Sequence, residues 1–160
     1  MTESVVQSHI SFYFLSSQPV AKVVPRLLEK ALEKSRNICV RLPDQSDIDS
    51  LSQALWVYRS LGFLPHGIEG DGTDPCRHPL WLTDAKSSHK ADIHMWVNCY
   101  PSDAWNAWGE RTFLCFDQVS KAKDLGAQGL WKRLSTDNVR LDGWLHDDVH
   151  GWKATSEFPT

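Results

Sequence analysis

The sequence predicts a single three-layer α/β domain with a mainly parallel central sheet, helices on both faces, and a nucleotide-binding-like topology that lacks a phosphate-binding loop. Three observations predict it. Short β-branched and aromatic runs alternate with segments of helical period. The chain of 160 residues is the length of one domain. Its 41% hydrophobic and 23% charged shares are those of a globular protein. Residues 1–154 are assigned to this domain and 155–160 to a flexible C-terminal tail.

The first strand is expected over His9 to Leu15, where aromatic and branched residues run without a breaker. From Pro19 to Ser35, Val20, Val23, Val24, Leu27, Leu28, Ala31 and Leu32 recur at helical steps, although Pro25 leaves Arg26 to Ser35 as the secure part. Asn37 to Leu42 reads as an inner strand. Asp44 to Trp56 reads as a helix with Ile48, Leu51 and Leu55 on one side. Residues 65–79 carry three Gly and three Pro and predict a loop, which leads into a short run at Leu80 to Thr83. Ala91 to Cys99 and Arg111 to Phe116 are two more strands, with a short helix at Ser102 to Trp108 between them. One helix is expected over Val119 to Ser135, carrying Val119, Ala122, Leu125, Leu130 and Leu134 toward the core and weakened by Gly126 and Gly129, and a last strand over Val139 to Leu145.

Seventeen Lys and Arg stand against twenty Asp and Glu, a net charge of -3, so the surface as a whole is no polyanion-binding field. A nucleic-acid role is therefore local or indirect. The apolar runs are short and broken by charge, and Met1 to Ser4 lacks a basic start, which predicts neither a membrane span nor a secretory signal. Cys39, Cys99 and Cys115 sit in strand-like runs and Cys76 in a loop. With no Cys-x-x-Cys pair, they read as reduced thiols of a cytoplasmic protein.

No residues complete a catalytic or cofactor site. Ser16 to Pro19 after the first strand offers no glycine for a phosphate, and no Gly-Lys-Ser/Thr occurs. Gly67, Gly70 and Gly72 lie among Glu69, Asp71 and Asp74, whose carboxylates would repel a phosphate; the segment reads as a solvated loop. His146 and His150 flank Asp147 and Asp148, a set that would ligate a metal on a helix. Here it falls at a strand end and turn and reads as hairpin residues. The expectation is no catalytic residue, cofactor or metal.

Eight tryptophans in so small a domain cannot all be core. Trp96 and the Trp105/Trp108 pair read as packing residues. Trp56 at a helix end and Phe63 in the following connection are either partner anchors or interior residues. Trp131, Lys132 and Arg133 sit in a basic window, residues 119–140, in which Lys121, Lys123, Lys132, Arg133 and Arg140 outnumber Asp124 and Asp137. Such a window suits an acidic peptide, or else is a solvated helix face with cations near its C-terminal end.

Phe12-Tyr13-Phe14-Leu15, Leu51 to Trp56, Phe63-Leu64-Pro65-His66-Gly67, His78 to Thr83 and Trp131-Lys132 together give a recognisable pattern. Through them the chain resembles the chi subunit of bacterial DNA polymerase III over residues 9–153; Ala-Leu-Trp followed by Phe-Leu-Pro-His is the specific part. The resemblance implies a non-catalytic adaptor, one surface of which binds the psi subunit of the clamp loader or a substitute. A second surface takes the acidic C-terminal tail of single-stranded DNA-binding protein. By resemblance, Trp56 and Phe63 match the psi-facing surface, which the family also uses for a helicase. Trp131 and Lys132 match the tail site, where Lys132 would pair with an acidic group and Trp131 would border the pocket for a terminal phenylalanine. Arg133 is an added candidate by its proximity to Lys132, and Lys121 and Lys123 are added as compensation, because Gln128 and Asp124 stand where the family pattern has basic residues. A nucleotide-binding enzyme and a direct single-strand binder with stacking tryptophans are the rival readings.

Overall fold

The computed structural model describes residues 8–15, 19–34, 37–58, 65–86, 89–101, 111–147, 149 and 151–159. Strands β1 (His9–Phe14), β2 (Ile38–Leu42), β3 (Gly67–Ile68), β4 (Leu80–Asp84), β5 (Ile93–Val97), β6 (Arg111–Phe116), β7 (Arg140–Asp147) and β8 (Gly151–Thr155) form one sheet in the order β3-β4-β2-β5-β6-β1-β7-β8. Every neighbouring pair is parallel except the β7–β8 hairpin. The expected three-layer α/β class is the one found.

Side-chain alternation along the strands builds both outer layers. Ile93, Met95, Val97, Phe113 and Cys115 face helices α1 (Val20–Leu32) and α2 (Gln45–Trp56), which bury Val24, Leu28, Ile48, Leu51 and Leu55 against them. Ile10, Phe12, Phe14, Leu114 and Phe116 face the opposite way, onto α3 (Val119–Asp124) and α4 (Ala127–Thr136). Pro25 lies inside α1 and is buried there, so the helix begins before the proline.

Beyond small shifts at element ends, four features differ from the sequence reading. The single helix expected at 119–135 is two, because Gly126 adopts φ 84°, a left-handed conformation that ends one helix and opens the next. The loop at 65–79 contains the two-residue strand β3, too short to show a period. Residues 151–155 form β8, and His146 lies on the resulting hairpin with its ring edge-on to Trp152, while His150 lies outside the described residues. The segment read as a loose tail carries Phe158, which is only 9% exposed. The helix expected at Ser102 to Trp108 falls outside the described residues. Among the described residues no helix is long and apolar enough to cross a membrane.

Candidate partner-binding surfaces

Helix α2 starts at Asp44, whose carboxylate accepts the backbone N–H of Asp47 at 2.9 Å. Ile48, Leu51, Ser52 and Leu55 then define its buried stripe. Trp56 follows one position after Leu55, a turn of about 100° around the helix, and leaves the stripe for solvent. Trp56 is 54% exposed and Val57 68%. The indole does not hang loose: the His66 ring stands edge-on to it, centroids 5.9 Å apart, and His66 Nε2 lies 2.7 Å from Ser52 Oγ. Beside this end of α2 runs a groove of about 460 Å³ lined by Ala21, Lys22, Arg26, Gln53, Val57 and Tyr58. Phe63, the second anchor expected here, lies outside the described residues.

On the other side of the sheet α4 buries Ala127, Leu130, Trp131 and Leu134, positions that repeat at three and four. Trp131 is thus a member of the core stripe, 8% exposed, where the sequence reading counted Leu130 and Leu134 but not the indole between them. Its ring meets Phe12 edge-on at 4.9 Å and Phe158 at 6.1 Å, and Phe158 in turn meets Phe14 at 5.3 Å. Lys132 and Arg133 follow Trp131 on the exposed side of the same helix. Lys123 is exposed on α3. Lys121 turns elsewhere: its ammonium lies 3.8 Å from the Asp117 carboxylate, in a crevice at the carboxyl ends of the strands. Leu125, expected in the core, is 39% exposed, because the α3–α4 turn swings it outward.

That crevice, about 340 Å³, is where sheets of this kind hold nucleotides. Here Asp47 and Asp117 line it, together with Asn98 and Lys121. Burial, followed by the neighbouring Asp44, raises the pKa of Asp47 above the ordinary carboxylate value. Two carboxylates in the crevice oppose a phosphate.

A polar cluster that the sequence did not reveal joins β1 to β7, whose register sets Ser11 opposite Asp142. The Ser11 hydroxyl donates to Asp142 Oδ1, and His9 Nε2 lies 2.7 Å from Asp142 Oδ2. Serine, histidine and aspartate are all present, yet the same His9 nitrogen faces both partners, with Ser11 Oγ at 3.4 Å. A nucleophilic triad needs the imidazole to bridge serine and carboxylate through different nitrogens, and an accessible hydroxyl. Ser11 is wholly buried, and burial lowers the pKa of His9 against the opposing pull of its Asp142 hydrogen bond. The cluster ties two strands together. Three thiols are equally quiet: burial pushes Cys39 up to about 11 and Cys99 up to about 12, and raises Cys115 as well.

No curated protein matches the chain. The family model described as DNA polymerase III chi subunit, HolC, matches residues 8–142, a span that runs from the start of β1 into β7 and takes in Trp56, Trp131 and Lys132. The chain therefore belongs to the DNA polymerase III chi subunit family, and its place is that of an accessory subunit in DNA replication.

Proposed function

We propose that this protein is a non-catalytic adaptor of the polymerase III holoenzyme, acting in the cytoplasm, which links the clamp loader to single-stranded DNA coated by its binding protein. The observation that carries the reading is the placement of two unlike surfaces on opposite faces of one sheet. The exposed Trp56 and Val57 close α2 in one outer layer. The exposed Lys132 and Arg133 stand on α4 in the other. An indole braced by neighbours and set beside a groove is a good anchor for a protein partner. On this reading Trp56 and Phe63 take psi or its substitute, and the helicase uses the same face. Exposed cations beside an aromatic recess suit a peptide that joins carboxylates to a phenylalanine. Lys132 pairs with the acidic tail of single-stranded DNA-binding protein and Trp131 borders its phenylalanine, with Arg133, Lys123 and Lys121 adding to the local field.

The net charge of -3 disfavours direct capture of DNA. The carboxylates in the crevice disfavour a nucleotide enzyme. The test is a pull-down with purified single-stranded DNA-binding protein, intact and lacking its final acidic residues. Capture of the intact form alone is expected; equal capture of both forms overturns the tail as the ligand.

A further inference from the structure

Residues 156–159 do something more specific than trail from the domain. After β8 the chain makes a tight turn in which Thr155 Oγ1 accepts the backbone N–H of Glu157 at 3.3 Å and donates to the Glu157 carbonyl at 2.6 Å. The turn sets Glu157 in solvent and drives Phe158 inward, where its ring stands edge-on to both Phe14 and Trp131. Interplanar angles of 80° and 81° place ring edges against ring faces, the favoured aromatic geometry. Among the described residues, the hydrogen bonds of 156–159 stay within this turn. The phenyl ring thus fills an aromatic recess while its backbone, among the described residues, is held by this turn alone, which is how a bound peptide sits rather than a strand. Its sequence neighbour is a carboxylate, and the residues after Trp131 on the wall of the recess are the exposed Lys132 and Arg133.

We infer that the recess between Phe14 and Trp131 is a phenylalanine socket, that this chain's own Glu157-Phe158 is its resident occupant, and that an acidic peptide carrying a phenylalanine must displace it to bind. The inference rests on the tail-binding reading above and adds an internal competitor to it. An incoming peptide meets a socket that is open only part of the time, and its apparent affinity falls by that open fraction. The segment therefore sets a threshold: a weak or isolated acidic phenylalanine peptide is excluded, while tails presented together at high local concentration prevail.

The experiment compares the full chain with Phe158→Ser, using a labelled Asp-Asp-Asp-Phe peptide in fluorescence anisotropy at low salt. The variant is expected to bind about ten-fold more tightly than the unaltered chain. Equal affinity overturns the competition and leaves the tail reading standing. Absence of binding by both forms overturns the tail reading and the competition with it. Because Phe158→Ser also removes a buried ring, a second measurement uses the unaltered chain alone: NMR of the backbone amides of Glu157 and Phe158 while the same peptide is added. Movement of both signals to the positions of an unstructured segment at saturation supports displacement; unchanged signals in a peptide-saturated protein overturn it.

Discussion

Gly143 lies directly beneath the indole of Trp131. A Cβ built on this glycine would come within 2.6 Å of the ring and within 2.9 Å of the Thr155 methyl. The α4 layer approaches the sheet this closely only because β7 offers no side chain at that position, opposite Phe12 of β1. Gly143→Ala is therefore expected to destabilise the fold by about 1–3 kcal/mol, the usual range for overfilling a packed core. Chemical denaturation of the two forms checks it, and an unchanged midpoint would contradict the close approach.

Trp56→Ala should separate binding from folding. The residue is more than half exposed, so stability should change by no more than about 0.5 kcal/mol. An anchoring indole at an interface, by contrast, is worth about 2 kcal/mol or more. Co-purification with clamp-loader proteins should be lost while the melting curve stays in place. A large fall in melting temperature would instead make Trp56 a structural residue.

Lys132→Glu is expected to weaken an acidic peptide ending in phenylalanine by about 1 kcal/mol, roughly five-fold, without altering the fold. The difference should shrink as salt rises, since the charges meet near the surface. Titration of the peptide at two ionic strengths reads both effects. An unaltered affinity would remove Lys132 from the site.

The buried Arg41 donates to His94 Nδ1 across 2.6 Å, which requires that nitrogen to be unprotonated. Burial, then the Arg41 charge, then His89 lower the His94 pKa from 6.5 to about 4. The folded form thus binds the proton less readily than the unfolded chain. His94 contributes stability in full above about pH 6.5, and that contribution is lost as the pH falls towards about 4. His9, also lowered, acts in the same direction. Melting temperatures taken across this window should decline, and His94→Asn should flatten the slope.

Residues with a strong local period were legible in the sequence. β6 and β4 fall where their branched and aromatic runs lie, and α2 starts at the Asp44 cap. The split at Gly126 was not, because a single glycine costs a helix little until its neighbours impose a left-handed turn. Trp131 was read for its basic neighbours, although its spacing from Leu134 and Ala127 already placed it on the core stripe. The seat of Phe158 had no local signal at all. It depends on the β7–β8 hairpin returning the chain to Phe14, and such long-range returns are written in topology rather than in any short window. The Ser11–Asp142 bond was hidden for the same reason, since strand register decides it.

The sheet also acts as a spacer. With α2 on one side and α4 on the other, a protein bound at Trp56 and a peptide bound at Lys132, as proposed above, would be kept apart by a full thickness of hydrogen-bonded strands. On that proposal neither guest could brush the other aside, and arrival at one station would not await departure from its opposite. A molecule gripped in this way would be a rivet, holding two moving assemblies at a fixed separation while each kept its own timing.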